Sequence, residues 1–159
     1  MKLTELLSTT YPWGKIEEDG ANYTASFETK DGSKIEVIFS ELNLGGGNRA
    51  WDVEFSRDGD YRMTGGGDAI KILATFLDIV EAFTHKLPAK YLTFSANRED
   101  ASRVKVYGRL AKKITSFGYV DITEKDPKPY GQNVERLSAF FDASPDDKHF
   151  LLIRKDLVS

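Results

Sequence analysis

The sequence contains no cysteine and only two histidines among its 159 residues. The absence of cysteine excludes disulfide bonds, a thiolate nucleophile and every metal site with cysteine ligands. The two histidines, His85 and His149, lie far apart in the sequence, and neither belongs to a His-Glu-x-x-His motif. We therefore expect no bound metal ion.

Long hydrophobic runs are also missing. No stretch approaches the roughly 18 consecutive apolar residues that favour a membrane-spanning helix, and the first residues do not resemble a signal peptide. We therefore expect a cytoplasmic protein without a membrane partner. The net charge of -3 and the pI of about 5.5 disfavour bulk attraction to nucleic acid or to anionic lipid, but they leave a local basic patch open.

The remaining composition is that of an ordinary globular protein. Hydrophobic residues make up 40% of the chain and charged residues 30%, which disfavours a disordered or fibrous protein. A chain of this length is typical of one domain, and no internal repeat or long linker divides it. We therefore expect a single domain over residues 1–159.

The hydrophobic pattern predicts strands in the first third of the chain and alternating helices and strands after it. The predicted strands cover 23–29, 34–39, 51–56, 61–64, 91–95, 119–123 and 149–154, and the predicted helices cover 2–8, 69–85 and 99–117. The stretch that holds Pro127, Pro129 and Pro145 is expected to be irregular. The predicted fold is an α/β domain with a mixed, mostly antiparallel, twisted sheet flanked by helices.

The most informative segment runs from a predicted strand through three glycines into the helix predicted at 69–85. Its sequence is Arg62-Met63-Thr64-Gly65-Gly66-Gly67-Asp68-Ala69. Glycines let the backbone approach a ligand closely, and the first amides of the following helix have no intrahelical partners. This combination favours an anion such as a pyrophosphate. A glycine-rich turn in which Asp68 caps the helix explains the same residues without a ligand.

The spacing Arg62-x-x-Gly65-x-Gly67 resembles the acyl-CoA motif of the GNAT acetyltransferase superfamily. In that family a Gln or Arg precedes a Gly-x-Gly or Gly-x-Ala turn between a central strand and a long helix. The order of predicted elements over 50–123 is also similar. The two central strands of the family splay apart, the pantetheine arm of CoA lies between them, and the pyrophosphate sits on the helix N-terminus.

The resemblance implies a GNAT-like domain that binds acetyl-CoA or another acyl-CoA as a cosubstrate. It implies that Arg62 belongs to this site, that the backbone of Met63 and Thr64 pairs with pantetheine, and that residues 65–68, namely Gly65, Gly66, Gly67 and Asp68, hold the pyrophosphate. Asp68 places a negative charge near that phosphate, and we expect Arg62 and Lys71 to offset it.

The resemblance also implies transfer of the acetyl group to an amine. Tyr107 matches the tyrosine that protonates the departing CoA thiolate, although it shares a helical face with apolar residues and has packing as an alternative role. Because the chain has no cysteine for a covalent intermediate, the amine is expected to attack directly. The alternative is a non-catalytic binding or assembly protein on the same scaffold.

The residue pattern offers two carboxylates as the base that deprotonates an acceptor amine. Asp52 and Glu54 alternate with apolar residues in the strand predicted at 51–56, so both lie on one face. We favour Glu54 as the base. Polar positions that merely face solvent give the same pattern.

The helix predicted at 99–117 concentrates positive charge in an acidic chain. The basic residues of 98–113 are Arg98, Arg103, Lys105, Arg109, Lys112 and Lys113. Such a run predicts contact with phosphates, either those of CoA or those of a nucleic acid. A solvated helix face is the alternative interpretation.

Overall fold

The computed structural model of the protein describes residues 10–57 and 69–158. These residues form a seven-stranded sheet with helices on both faces. The strands are β1 (Glu17–Asp19), β2 (Asn22–Glu28), β3 (Lys34–Gly45), β4 (Asn48–Arg57), β5 (Tyr91–Asn97), β6 (Tyr119–Asp121) and β7 (Asp147–Arg154). The helices are α1 (Ala69–Lys86), α2 (Ala101–Ile114) and α3 (Gln132–Asp142).

The strand order across the sheet is β1-β2-β3-β4-β5-β7-β6. Strands β1 to β4 form an antiparallel meander, and β5, β7 and β6 form a second antiparallel group. The two groups meet at β4 and β5, which run parallel and are connected through α1. A parallel pair needs such a crossover, because its two strands must start at the same end of the sheet.

Helices α1 and α2 cover one face of the sheet. Their apolar side chains pack with the inward residues of the central strands into the larger core, which contains Trp51, Val53 and Phe55 from β4 and Leu92 and Phe94 from β5. We call this side the α1/α2 face. Burial of these large side chains is the main stabilising contribution to the fold.

Helix α3 covers one end of the opposite face, which we call the α3 face. Val134 and Leu137 of α3 pack on Ala50, Tyr91 and neighbouring residues of the sheet. Because side chains alternate along a strand, residues 52 and 54 of β4 and residues 93 and 95 of β5 also lie on this face. The polar residues of the two central strands therefore share one side of the sheet.

Most predicted elements are confirmed by the structure, and the α/β class with a mostly antiparallel sheet agrees with expectation. The strand predicted at 34–39 is longer and ends at Gly45, where Gly46 and Gly47 adopt positive φ and turn the chain into β4. The expectation of an irregular stretch around the prolines was wrong, because α3 lies between Pro129 and Pro145. The helix predicted at 2–8 and the strand predicted at 61–64 lie outside the described residues.

In the two described ranges, no helix combines the length and the hydrophobicity that crossing a membrane requires.

Candidate functional site

The two central strands β4 and β5 pair over a short distance only. Their ladder consists of the pairs Trp51–Leu92 and Asp52–Thr93. β4 continues to Arg57 and β5 to Asn97 beyond these pairs, without further pairing between them. The β4–β5 ladder therefore stops short of the carboxyl ends of these two parallel strands, a place where many α/β sheets bind ligands. We call the unpaired region beyond the ladder the central opening.

Side chains from α2 occupy the α1/α2 face of the central opening. The Phe55 N–H donates to the Tyr107 hydroxyl at 3.4 Å, and Arg103 Nη1 donates to the Phe55 carbonyl at 3.3 Å. The Arg103 guanidinium also lies 4.9 Å from the centre of the Phe55 ring and pairs with Asp100 at the start of α2. These contacts replace the hydrogen bonds that a continued β4–β5 ladder would give to Phe55.

Tyr107 is fully buried in an aromatic cluster. Its ring centre lies 5.7 Å from that of Phe55, 6.3 Å from that of Phe76 and 5.4 Å from that of Phe94. Burial raises the pKa of the Tyr107 phenol well above its ordinary value, and the nearby Arg103 charge offsets only part of that effect. The hydroxyl is therefore protonated at neutral pH, and its acidity is lower than that of an exposed tyrosine.

The Tyr107 hydroxyl contributes to stability through its contact with the Phe55 amide. We expect Tyr107→Phe to lower the free energy of unfolding by about 1 kcal/mol, because it leaves a buried N–H without that partner while keeping the ring in place. Urea denaturation followed by circular dichroism measures this difference. Tyr130→Phe is the control for a hydroxyl lost outside the central opening, and an equal loss in both variants would contradict the assigned contact.

Asp52 and Glu54 lie on the α3 face of β4, as the alternation predicts. Burial raises the pKa of Asp52 from 3.8 to about 6, with smaller contributions from the charges of Glu54 and Asp147. The Thr93 hydroxyl donates to Asp52 Oδ1 at 2.6 Å, and this hydrogen bond lowers the pKa of Asp52. Burial also raises the pKa of Glu54, while Arg103 lowers it. A carboxylate with a pKa near neutrality is suited to general base chemistry.

A second polar pair on the α3 face was not predicted from the sequence. Ser95 of β5 and His149 of β7 are register partners, and Ser95 Oγ lies 2.7 Å from His149 Nδ1. His149 Nε2 lies 3.0 Å from the Ser144 carbonyl oxygen. The two residues are 54 positions apart in the chain, so no local pattern in the sequence brings them together.

His149 also lines a cavity of about 430 Å³ between α3, β7 and the segment that follows β6. The cavity wall combines apolar side chains with charged groups of both signs, namely Arg98, Lys125, Lys148, Glu124, Asp142 and Asp147. Lys148 forms an ion pair with Glu124 at the surface. The described part of the chain contains no group of three or more His, Asp or Glu side chains placed to hold a metal ion.

The residues expected to hold the cofactor, 62–68, lie outside the described residues. α1 begins at Ala69, directly after them.

The basic helix predicted from the sequence is α2. Its side chains Lys105, Arg109, Lys112 and Lys113 are exposed, whereas Arg103 is buried against Phe55. Arg103 is thus part of the central opening rather than of the exposed basic surface. Contact of that surface with phosphates stays a prediction.

Comparisons of the chain with protein-family models, with curated proteins and with solved structures found no match.

Proposed function

We propose that this chain is a GNAT-like domain that binds acetyl-CoA or another acyl-CoA and transfers the acyl group to an amine. The observation that supports the proposal most is the central opening between β4 and β5. It lies between two parallel strands joined by a long helix, and the glycine-rich segment leads directly into that helix. The resemblance implies the same order of strand, glycine turn, helix and strand around the pantetheine arm.

In this proposal the amides at the start of α1 bind the pyrophosphate, and the pantetheine arm enters the central opening. A helix N-terminus favours an anion because its free N–H groups and its dipole both point toward the ligand. The Phe55 N–H and C=O lie at the central opening, where the amides of a pantetheine arm or a thioester carbonyl would compete with the Tyr107 and Arg103 side chains. Entry of the arm would therefore require these side chains to move.

The chemistry would use the carboxylates on the α3 face. Asp52 stands where the β4–β5 ladder ends, and its pKa of about 6 suits removal of a proton from an acceptor ammonium group. Glu54, favoured from the sequence, follows on the same face and has a raised pKa as well. We propose that the two carboxylates share this role, with Asp52 nearer to the end of the ladder.

Binding of acetyl-CoA is tested by isothermal titration calorimetry with the full chain. We expect a Kd in the micromolar range and a loss of about a hundredfold or more in affinity for Gly65→Glu, because a carboxylate beside the pyrophosphate costs several kcal/mol. Gly14→Glu is the matched control, since an added Cβ at Gly14 meets no atom within 4 Å. No binding by the wild type, or equal binding by both variants, would contradict the proposal.

A non-catalytic protein on the same scaffold is the second candidate, and the state of Tyr107 favours it. A thiol has an ordinary pKa of about 8.5, and the raised pKa of the buried Tyr107 makes proton transfer from it to a thiolate unfavourable.

An assay of CoA release from acetyl-CoA separates the two candidates. The protein is mixed with acetyl-CoA and a panel of amines, and a thiol reagent detects the CoA that is released. The protein adds no background because it has no cysteine. Turnover that is unchanged in Tyr107→Phe would exclude Tyr107 as the acid.

A further inference from the structure

The hydrogen bonds of His149 determine which of its ring nitrogens carries the proton in the neutral ring. The Ser144 carbonyl oxygen is an acceptor only, so the Nε2 that lies 3.0 Å from it is the protonated nitrogen. Nδ1 then carries a lone pair and accepts from the Ser95 hydroxyl at 2.7 Å. Phe141 stacks on the ring with centres 4.4 Å apart and planes 13° apart, which limits its rotation.

This is the arrangement of an activated hydroxyl nucleophile. A hydroxyl lies within hydrogen-bond reach of an imidazole base, and a third group holds the base in the required tautomer and orientation. The backbone carbonyl of Ser144 takes the place that a carboxylate has in many serine enzymes. If Ser95 and His149 were only neighbours in the sheet, the hydrogen bond of His149 to the Ser144 carbonyl and the stacking of Phe141 on its ring would not be needed.

Ser95 also stands beside the central opening. It follows Thr93, the last residue of β5 that pairs with β4, by two positions, so both side chains lie on the α3 face. Glu54 follows Asp52 on β4 by the same two positions. The Glu54 carboxylate and the Ser95 hydroxyl therefore belong to the same face of the two central strands, beyond the end of their ladder.

We propose that Ser95 is a nucleophile that takes the acyl group from an acyl thioester, with His149 as its base. The proposal rests on the proposed function for the identity of the acyl donor. It replaces the direct attack expected from the sequence by a two-step transfer through an ester on Ser95. The final acceptor is the amine or, in its absence, water.

In the first step, Ser95 Oγ attacks the thioester carbonyl carbon and its proton moves to His149 Nδ1. The C–S bond breaks, the thiolate of CoA takes the proton from His149, and an ester is left on Ser95. In the second step, the amine or water attacks the ester carbonyl and gives a proton to His149. The ester C–O bond then breaks and that proton returns to Ser95 Oγ, which restores the starting state.

Activation at position 95 is tested first without any substrate. In the full chain carrying Ser95→Cys, the introduced residue is the only cysteine, so iodoacetamide reports on one thiol. We expect alkylation at neutral pH about tenfold faster than in Ser40→Cys, a partly buried control in β3, because a neighbouring imidazole promotes thiolate formation. Adding His149→Gln to Ser95→Cys should remove the difference. Equal rates in all three variants would overturn the proposal.

Acyl transfer is tested with two donors, p-nitrophenyl acetate and acetyl-CoA. With the ester, we expect acetylation of Ser95 by peptide mass spectrometry and a rate of nitrophenol release that falls about a hundredfold or more in Ser95→Ala and in His149→Gln. Ser40→Ala should retain the wild-type rate, and circular dichroism checks that each variant is folded. A wild-type rate in folded Ser95→Ala would overturn the role of Ser95.

The second donor separates this inference from the proposed function. Acetylation of Ser95 by acetyl-CoA supports both. Binding of acetyl-CoA by calorimetry, with no acetylation of Ser95 by either donor, would overturn the nucleophile and leave the proposed function standing. Acetylation of Ser95 by the ester, with no binding of acetyl-CoA, would overturn the proposed function and the thioester donor but support Ser95 as an activated hydroxyl.

Discussion

Phe83→Ala is expected to lower the free energy of unfolding by about 3–5 kcal/mol, the usual cost of removing a buried phenylalanine. Phe83 of α1 is fully buried, and its ring stacks on Phe39 with centres 3.9 Å apart. It also meets the edges of Trp51 and Tyr23, with ring centres 5.3 and 5.7 Å away. The substitution therefore removes the contact that joins α1 to three strands of the sheet.

The midpoint of urea denaturation measures this loss. Domains of ordinary stability unfold at a cost of roughly 5–15 kcal/mol, so this loss is a large fraction of the total and should lower the midpoint clearly. Phe140→Ala is the control, because Phe140 is 51% exposed on α3 and its truncation should change the free energy by about 0.5 kcal/mol or less. Similar losses in the two variants would contradict the assigned core.

Asp52→Asn is expected to stabilise the protein at neutral pH by as much as about 3 kcal/mol. Burial raises the pKa of Asp52 from 3.8 to about 6, and each pKa unit corresponds to about 1.4 kcal/mol. The folded state therefore binds the proton more tightly than the unfolded state. The stability due to the protonated form is fully present below about pH 4 and is lost as the pH rises through 6.

An asparagine at position 52 does not titrate, and its amide oxygen can still accept from Thr93. The free energy of unfolding of the wild type should therefore fall between pH 4 and pH 6 relative to that of Asp52→Asn, with a constant difference above about pH 7. Glu17→Gln, in exposed β1, controls for the loss of one negative charge. Parallel profiles of wild type and Asp52→Asn across this range would contradict the raised pKa.

A carboxylate that lowers stability at neutral pH is characteristic of functional sites, where groups are kept for their chemistry rather than for their contribution to folding. The sequence pattern placed Asp52 and Glu54 on one face and favoured Glu54. The structure gives Asp52 the larger pKa shift, because burial in the sheet raises its pKa from 3.8 to about 6 and the hydrogen bond from Thr93 of β5 offsets only part of that effect. Alternation in a strand cannot reveal that difference, since it depends on the neighbouring strand.

The sequence predicted local structure well where one face of an element is apolar. The alternation of Trp51, Val53 and Phe55 gives the correct faces of β4, and the long apolar pattern after residue 69 gives α1. α3 was overlooked because prolines stand on both sides of it, although Val134, Leu137 and Phe141 have helical spacing.

The candidate site was less predictable because it depends on contacts between distant parts of the chain. A charged residue such as Arg103 is normally placed on the surface, and only the gap beside Phe55 explains why it lies inside. Ser95 and His149 meet because β5 and β7 are neighbours in one register. Strand order and register are properties of the whole sheet, so neither contact can be read from a local segment.

The lateral ends of the sheet carry short strands, and this limits unwanted association between copies of the chain. β1 and β6 have three residues each, so each offers few free backbone groups to an incoming strand. β2 and β7 extend past these short strands, and other residues contact them there. Trp13, which precedes β1 in the chain, forms a bridge to Phe27 of β2. The hydroxyl of Thr123, which follows β6, accepts from the Leu151 N–H of β7. The protein should therefore resist edge-to-edge polymerisation at high concentration.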